Sequence, residues 1–92
     1  MADARIEVVV RGRVQGVGYR FYACREAEVL HLTGTVRNQY DGSVQVVAEG
    51  PTAALHALLA TLKIGPRFGH VAAMEVNWLP YSGEFHNFAV IF

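Results

Sequence analysis

A glycine-rich turn joins a run with strand periodicity to a run with helix periodicity, and this junction most restricts the folding of the chain. Between Arg5 and Arg13, the segment Ile6–Val10 alternates as a β-strand does, and it becomes apolar on both sides towards its end, as an inner strand is. Apolar residues then recur at helical spacing, at Tyr19, Ala23, Ala27 and Leu30. The sequence therefore predicts a buried strand that passes through a tight turn into an amphipathic helix ending near residues 30–32.

The turn itself, Gly12-Arg13-Val14-Gln15-Gly16-Val17-Gly18-Tyr19-Arg20, has the composition of an anion-binding loop. Glycine allows a backbone to turn tightly and to point its N–H groups in one direction, and such a row at a helix N-terminus binds anions. Arg20 adds a planar cation that binds two oxygens of one phosphate. The loop thus predicts a small phosphate site with Arg20 as its clamp. On residue types alone, a plain glycine-rich turn with a solvated arginine explains it equally well.

The middle of the chain continues with a hairpin and a second helix. Asp41-Gly42 is a strong hairpin signal between two strand-like runs, the first beginning at residues 35–36 and the second covering 43–48. Gly50-Pro51 then opens a helix, because proline suits a first helical turn. Its core stripe consists of Leu55, Leu58, Leu59 and Leu62.

Gly65-Pro66 ends this helix, and the last third of the chain is strand-like. A fourth strand is predicted over 71–79, followed by a fifth strand or a strand-like tail over 85–92 whose pairing partner stays open. The order strand, helix, strand, strand, helix, strand predicts an α+β fold. We expect a ferredoxin-like βαββαβ sandwich with two helices on one face of an antiparallel sheet and an extra C-terminal strand.

Composition restricts the function classes. With 92 residues, of which 52% are apolar, we expect one domain over residues 1–92. Zero formal net charge gives no support for a nucleic-acid partner, and no apolar run approaches the length of a membrane span. Five arginines stand against one acid, Glu7, between residues 5 and 25, which favours small anions near the loop. Cys24 is the only cysteine, which fits the reducing cytoplasm. We also expect a monomer.

Two segments of the sequence resemble the signatures of the acylphosphatase family. The glycine loop, residues 12–20, resembles the first signature. The second signature is similar to Gly34-Thr35-Val36-Arg37-Asn38-Gln39-Tyr40-Asp41-Gly42-Ser43-Val44, running on to Glu49-Gly50. Both stand in the expected order and spacing, and a weaker similarity covers nearly the whole chain. The resemblance implies hydrolysis of the carboxyl-phosphate bond of acyl phosphates to a carboxylate and inorganic phosphate, with no metal and no cofactor.

The resemblance also implies roles for individual residues. Arg20 corresponds to the phosphate-binding arginine and Asn38 to the asparagine that positions the attacking water. The substrate phosphate, or inorganic phosphate or sulfate in its place, would be bound by the backbone amides of Gln15, Gly16, Val17, Gly18, Tyr19 and Arg20. Without the resemblance, a turn residue beside a hairpin is the preferred interpretation of Asn38.

Two positions depart from the family's usual pattern. Tyr19 stands where phenylalanine is commoner, and His31 stands at a helix end where glycine is usual, so His31 is a candidate for positive φ. Neither departure touches the proposed catalytic pair.

Two alternatives to a stand-alone enzyme stay open at this point. A non-catalytic module that binds an anion or metabolite could use the same fold, because a fold alone does not define an activity. A related domain of larger proteins that use carbamoyl phosphate is also conceivable. The four histidines (residues 31, 56, 70 and 86) show no metal-binding spacing, so we expect no metal site.

Overall fold

The periodicities of the sequence become two helices and five strands in the computed structural model, which describes residues 2–92. Each predicted element is present, and β2 begins two residues earlier than expected. In chain order the elements are β1 (Asp3–Arg13), α1 (Tyr19–Val29), β2 (Thr33–Asn38), β3 (Val44–Pro51), α2 (Thr52–Ile64), β4 (His70–Pro80) and β5 (Phe88–Ile91).

The strands form one sheet in the order β4-β1-β3-β2-β5. β1 pairs antiparallel with β3 and with β4, and β2 pairs antiparallel with β3. The predicted ferredoxin-like α+β fold is therefore confirmed. The pairing partner of β5, which the sequence left open, is β2. The two strands pair in parallel, so the complete sheet is mixed. β5 runs parallel to β2 because both strands start from the same side of the sheet. The chain leaves β4 on that side.

Both helices pack on one face of the sheet, and the core lies between the helices and the sheet. The alternate residues of β1 and β3 that face the helices are fully buried, namely Ile6, Val8, Val10, Val44, Val46 and Ala48. The helices contribute Ala23, Ala27, Leu55, Leu58 and Leu62 to the same cluster. The predicted leucine stripe is confirmed at three positions, whereas Leu59 is only half-buried at its margin. Burial of these apolar side chains holds the helices on the sheet.

The pairing of β1 with β4 is irregular just before the glycine loop begins. The pairing of β1 with β4 shifts register between Arg11 and Gly12. Gly12 has φ 131°, and a Cβ atom at this position would lie 2.2 Å from the carbonyl oxygen of His70. Only glycine allows this approach of two backbones, and the residue that the register skips is Ala72 of β4.

The connection between β4 and β5 is anchored to a buried carboxylate, Glu49, on the face of the sheet away from the helices. Ser82 donates to it through its hydroxyl (2.7 Å) and its amide (3.0 Å), and the Gly83 amide donates at 3.0 Å. Arg5 lies 3.2 Å away as the countercharge. Burial alone would raise the pKa of Glu49, but these hydrogen bonds outweigh burial and lower it. Glu49 thereby stabilises the segment that leads to β5.

His31 ends α1 in a left-handed conformation with φ 57°, as its unusual position suggested. The His31 amide donates to the carbonyl of Glu28 (3.0 Å) and the Leu32 amide to that of Ala27 (3.0 Å). This pair of hydrogen bonds is the Schellman motif, whose left-handed residue is usually glycine.

Replacing His31 by glycine should therefore stabilise the fold. The left-handed conformation is costly for a residue with a Cβ atom, so His31→Gly should raise the free energy of unfolding by roughly 0.5–1 kcal/mol. Urea denaturation measures the change. His31→Ala is the control, because alanine keeps the unfavourable Cβ atom and should give no such gain. A His31→Gly variant less stable than His31→Ala would contradict the assignment.

Candidate active site

The glycine loop presents a row of free backbone amides at the N-terminus of α1. Gly16 (φ 75°) and Gly18 (φ 79°, ψ 19°) both adopt the left-handed conformation, and nothing lies within 4 Å of a Cβ atom placed on either. The first hydrogen bond of the helix runs from the Tyr22 amide to the Gly18 carbonyl (3.0 Å). The amides of residues 15–21 donate no hydrogen bond to any group within residues 2–92. Such a concave row of donors binds anions.

The surroundings of this loop favour negative charge. The first turn of α1 carries no acidic residue, and no side chain in the described part of the protein caps Gly18. The partial positive charge of the helix N-terminus is therefore not neutralised by a carboxylate of its own. A bound anion has no protein group to displace.

Arg20 stands at the edge of the loop, half-buried, with its donors largely available. Its guanidinium carbon lies 4.6 Å from the ring centroid of Phe92, and its Nη1 makes a long contact of 3.4 Å with the carbonyl oxygen of Ile91. No carboxylate among residues 2–92 lies within ion-pair distance of it. The stacking supports the position of the guanidinium without using up its charge.

Asn38 is the last residue of β2 and faces the same space as the loop. It pairs with Val44 of β3, and β3 pairs with β1, so the sheet brings Asn38 beside the loop that follows β1. Its side-chain amide makes no hydrogen bond with any residue from 2 to 92 and is exposed. Asn38 therefore has a donor and an acceptor free for a ligand or water.

These groups line one pocket of about 130 Å³, formed by Val14, Gly16, Gly18, Tyr19, Arg20, Phe21 and Asn38. The structure thus places most of the predicted site residues together. Val17 and Gln15 are the exceptions: Val17 packs against the core, and Gln15 faces a neighbouring hollow together with Asn38. The pocket is smaller than the roughly 300–1,000 Å³ that encloses a drug-sized ligand, so its size suits a phosphate group.

Asn38 also forms part of the wall of a larger open groove of about 410 Å³. This groove is lined by Arg37, Asn38, Gln39, Tyr40, Ile91 and Phe92. Tyr40 and Phe92 are largely exposed there. A molecule with one end in the small pocket therefore has room for its other end in this groove.

Ion pairing reduces the positive bias that the arginine spacing suggested. Arg5 pairs with Glu7, Glu49 and Glu84, and Arg11 pairs with Asp41 and Glu75. Glu7 is visible from the sequence, but the other four partners lie far from the arginines along the chain and appear only in the structure. The local preference for anions therefore depends on the amides and Arg20 more than on a general field.

No strong proton acceptor lies beside the pocket in the described chain. Asp41, in the hairpin turn, accepts hydrogen bonds from the hydroxyl and amide of Ser43 and pairs with Arg11, and these contacts lower its pKa to about 2. A carboxylate with this pKa is a weak base, which supports its interpretation as a turn former. Cys24 belongs to α1 and packs against the core, and burial raises the pKa of its thiol, which makes the thiol less reactive.

The phenol of Tyr19 has a structural role that the sequence did not reveal. The side chain is fully buried, and its hydroxyl donates to the carbonyl of Leu62 at 2.7 Å. Tyr22 donates likewise to the carbonyl of Thr61 at 2.7 Å. Both carbonyls belong to the last turn of α2. The Thr61 carbonyl also accepts from the Gly65 amide (3.1 Å), whereas the residue four positions after Leu62 is Pro66, which has no N–H to donate. Two tyrosines of α1 therefore cap the end of α2, and burial raises the pKa of both hydroxyls.

Comparison with known proteins gives one consistent family. A family model described as Acylphosphatase matches residues 6–90. The acylphosphatase of Methylococcus capsulatus is 48% identical over 87 residues, which cover 95% of each chain. The crystal structure of acylphosphatase from Bacillus subtilis is similar with a TM-score of 0.94 and 35% identity, covering 97% of this chain and 99% of that one.

A fourth comparison concerns the fold alone. Full-length HypF, in its phosphate- and nucleotide-bound form, has a TM-score of 0.86 at 20% identity, and the match covers 98% of this chain but 12% of HypF.

The fold and the pocket define a βαββαβ sandwich with an anion cradle at the start of its first helix. The family match and the relatives add the assignment: the chain belongs to the acylphosphatase family, hydrolases that act on acid anhydrides. The family prediction made from the two signatures is confirmed. Among residues 2–92, neither helix has the length and apolar character needed to cross a membrane.

The capping role of Tyr19 predicts a separation of stability from activity. Tyr19→Phe removes the hydroxyl and leaves the Leu62 carbonyl without this donor, so the free energy of unfolding should fall by about 1 kcal/mol. Turnover should stay near the wild-type value, because the ring that supports the pocket is kept. Urea denaturation and an acyl-phosphate assay measure the two effects. A large loss of turnover with unchanged stability would contradict the capping role.

Proposed function

We propose that this chain hydrolyses acyl phosphates, with Arg20 and the loop amides binding the phosphate and Asn38 positioning the attacking water. The observation that carries the proposal is the pocket of about 130 Å³, in which Arg20, the start of α1 and Asn38 share one space. Binding groups stand on one side and a free amide on the other. Family membership supports the same division of roles.

The chemistry requires little acid–base catalysis. Water attacks phosphorus, the bond between phosphorus and the acyl oxygen breaks, and the carboxylate leaves without needing a proton. Asparagine does not deprotonate water, and Asp41 is too weak a base, so the proton passes to the substrate phosphate. Positioning and charge stabilisation then supply the catalysis, as in other phosphoryl transfers. One preorganised donor of this kind contributes roughly 3–4 kcal/mol to lowering the barrier.

The acyl group lies outside the small pocket in this proposal. The cradle accommodates the phosphate, and the adjoining groove of about 410 Å³ leaves space for the acyl portion. The enzyme therefore recognises the phosphate end of its substrate most strongly. Inorganic phosphate or sulfate should bind as a competitive ligand, since each presents the same oxygens to the cradle.

The remaining expectations about the protein's setting stay predictions. We expect a monomeric single domain that works in the cytoplasm, with no nucleic-acid or membrane partner. The zero net charge supports the expectation of no nucleic-acid partner, and the single cysteine supports the expectation of a cytoplasmic location.

The decisive experiment is an assay of the purified protein with benzoyl phosphate. We expect hydrolysis that inorganic phosphate inhibits competitively. Phosphate binding without turnover would reject the enzyme and support a binding module instead.

Arg20 should be needed for both binding and turnover. Arg20→Lys keeps the charge but loses the planar pair of donors, so phosphate affinity and turnover should both fall by about tenfold. Arg20→Gln also loses the charge, and turnover should fall at least about 100-fold. Steady-state kinetics with phosphate inhibition measure both variants. A fully active Arg20→Gln enzyme would reject the mechanism.

Asn38 should affect the chemical step alone. Asn38→Ala removes the group that orients water, so kcat should fall by about 100-fold, whereas the inhibition constant for phosphate should change little. The same assay measures both constants. The proposed role fails if phosphate binding weakens as much as kcat falls, or if kcat is unchanged.

Chelation should leave the activity unchanged. The proposed steps use amides, one guanidinium and one side-chain amide, so prolonged dialysis against EDTA should not lower turnover. Restoring activity to a dialysed, inactive sample with a divalent metal would identify a metal requirement that the proposed mechanism lacks.

A further inference from the structure

The side chain of Gln15 connects the two halves of the candidate site. Its Nε2 donates to the carbonyl oxygen of Gln39 at 2.8 Å and to that of Ser43 at 2.9 Å. Both distances are typical of good N–H···O hydrogen bonds, and together they use both amide hydrogens. Because both partners are carbonyls, only the NH₂ group of Gln15 can make these bonds.

The two carbonyls belong to the ends of the β2–β3 turn. The Gln39 amide donates to the Ser43 carbonyl (2.9 Å), and the Gly42 amide donates to the Gln39 carbonyl (3.1 Å). The hydroxyl oxygen of Ser43, which is buried, also lies 2.8 Å from Oε1 of Gln39. Gln15 therefore reaches from the glycine loop into a turn that is already closed by its own hydrogen bonds.

Asn38 directly precedes this turn, so the turn and the pairing of Asn38 with Val44 together set the position of its backbone. Its own side chain has no hydrogen-bond partner within residues 2–92, so backbone placement alone aims it at the pocket. Gln15 and Asn38 also line one hollow of about 320 Å³. Besides Gln15, the exposed ion pair of Arg11 with Asp41 also contacts the turn, and exposed ion pairs contribute little to stability.

We propose that Gln15 is a positioning residue that fixes the separation between the phosphate cradle and Asn38. This inference rests on the proposed roles of Arg20 and Asn38. The backbone amide of Gln15 belongs to the predicted cradle, whereas its side chain acts on the opposite side of the site. Because in-line attack requires water and phosphorus at a defined distance, a small displacement of Asn38 costs turnover without costing phosphate affinity.

The test uses Gln15→Met, which keeps the length of the side chain and removes both donors. We expect kcat for benzoyl phosphate to fall about tenfold, while the inhibition constant for inorganic phosphate changes by less than about twofold. A purely structural role would lower the thermal midpoint without producing this split. If Gln15→Met does not fold, Gln15→Asn, which is too short to hold both carbonyls, should give the same split.

A double-mutant cycle separates positioning from an independent contribution. If Gln15 acts through Asn38, adding Gln15→Met to Asn38→Ala should lower kcat by less than about a further twofold. Gln45→Met is the matched control, because Gln45 lies on β3 on the sheet face away from the helices, and it should leave kcat and phosphate inhibition at wild-type values.

The outcomes distinguish this inference from the proposed function. Losses that multiply in the double variant would overturn the role of Gln15 and leave that of Asn38 intact. Wild-type kcat in Gln15→Met, or a loss of phosphate affinity equal to the loss of kcat, would overturn it as well. A fully active Asn38→Ala enzyme would reject the water-positioning role and, with it, the inference about Gln15.

Discussion

The structure of the candidate site depends on backbone amides that donate no hydrogen bond to any group within residues 2–92. Polar groups left without partners are costly unless solvent or a ligand takes them, so a free row at a helix N-terminus is a site prepared for an anion. The rest of the fold serves this arrangement. Gly12 allows β1 and β4 to approach closely just before the loop, Gly16 and Gly18 supply the left-handed conformations, and burial of α1 on the sheet fixes the helix end.

Two sheet connections complete the site around that row. β3 lies between β1 and β2, so the loop after β1 and the end of β2 approach each other on the helix side. β5 then adds beside β2 and carries Ile91 and Phe92 to Arg20. Glu49 supports this second connection from the opposite face by holding the segment that leads to β5. A carboxylate on the far side of the sheet therefore contributes indirectly to the surroundings of Arg20.

The sequence predicted the parts of the fold that are encoded locally. Periodicity, glycine, proline and Asp41-Gly42 identified the elements and their order. Contacts between distant residues were not predicted. The partner of β5, the burial of Glu49 and the cap from Tyr19 to Leu62 all depend on packing between segments far apart in the chain. Gln15 could have been noticed as the one polar side chain among residues 14–18, which are otherwise valine and glycine, but its partners become visible only in three dimensions.

The central claim is that the amides at the start of α1 bind phosphate while Asn38 stands opposite. Titration of the ¹⁵N-labelled protein with inorganic phosphate, followed by two-dimensional NMR, tests it most directly. The account predicts saturable shifts concentrated in the amides of residues 15–21, with a further shift of the Asn38 side-chain NH₂ group. Saturable shifts at another surface, or no shift in the glycine loop at saturating phosphate, would contradict it.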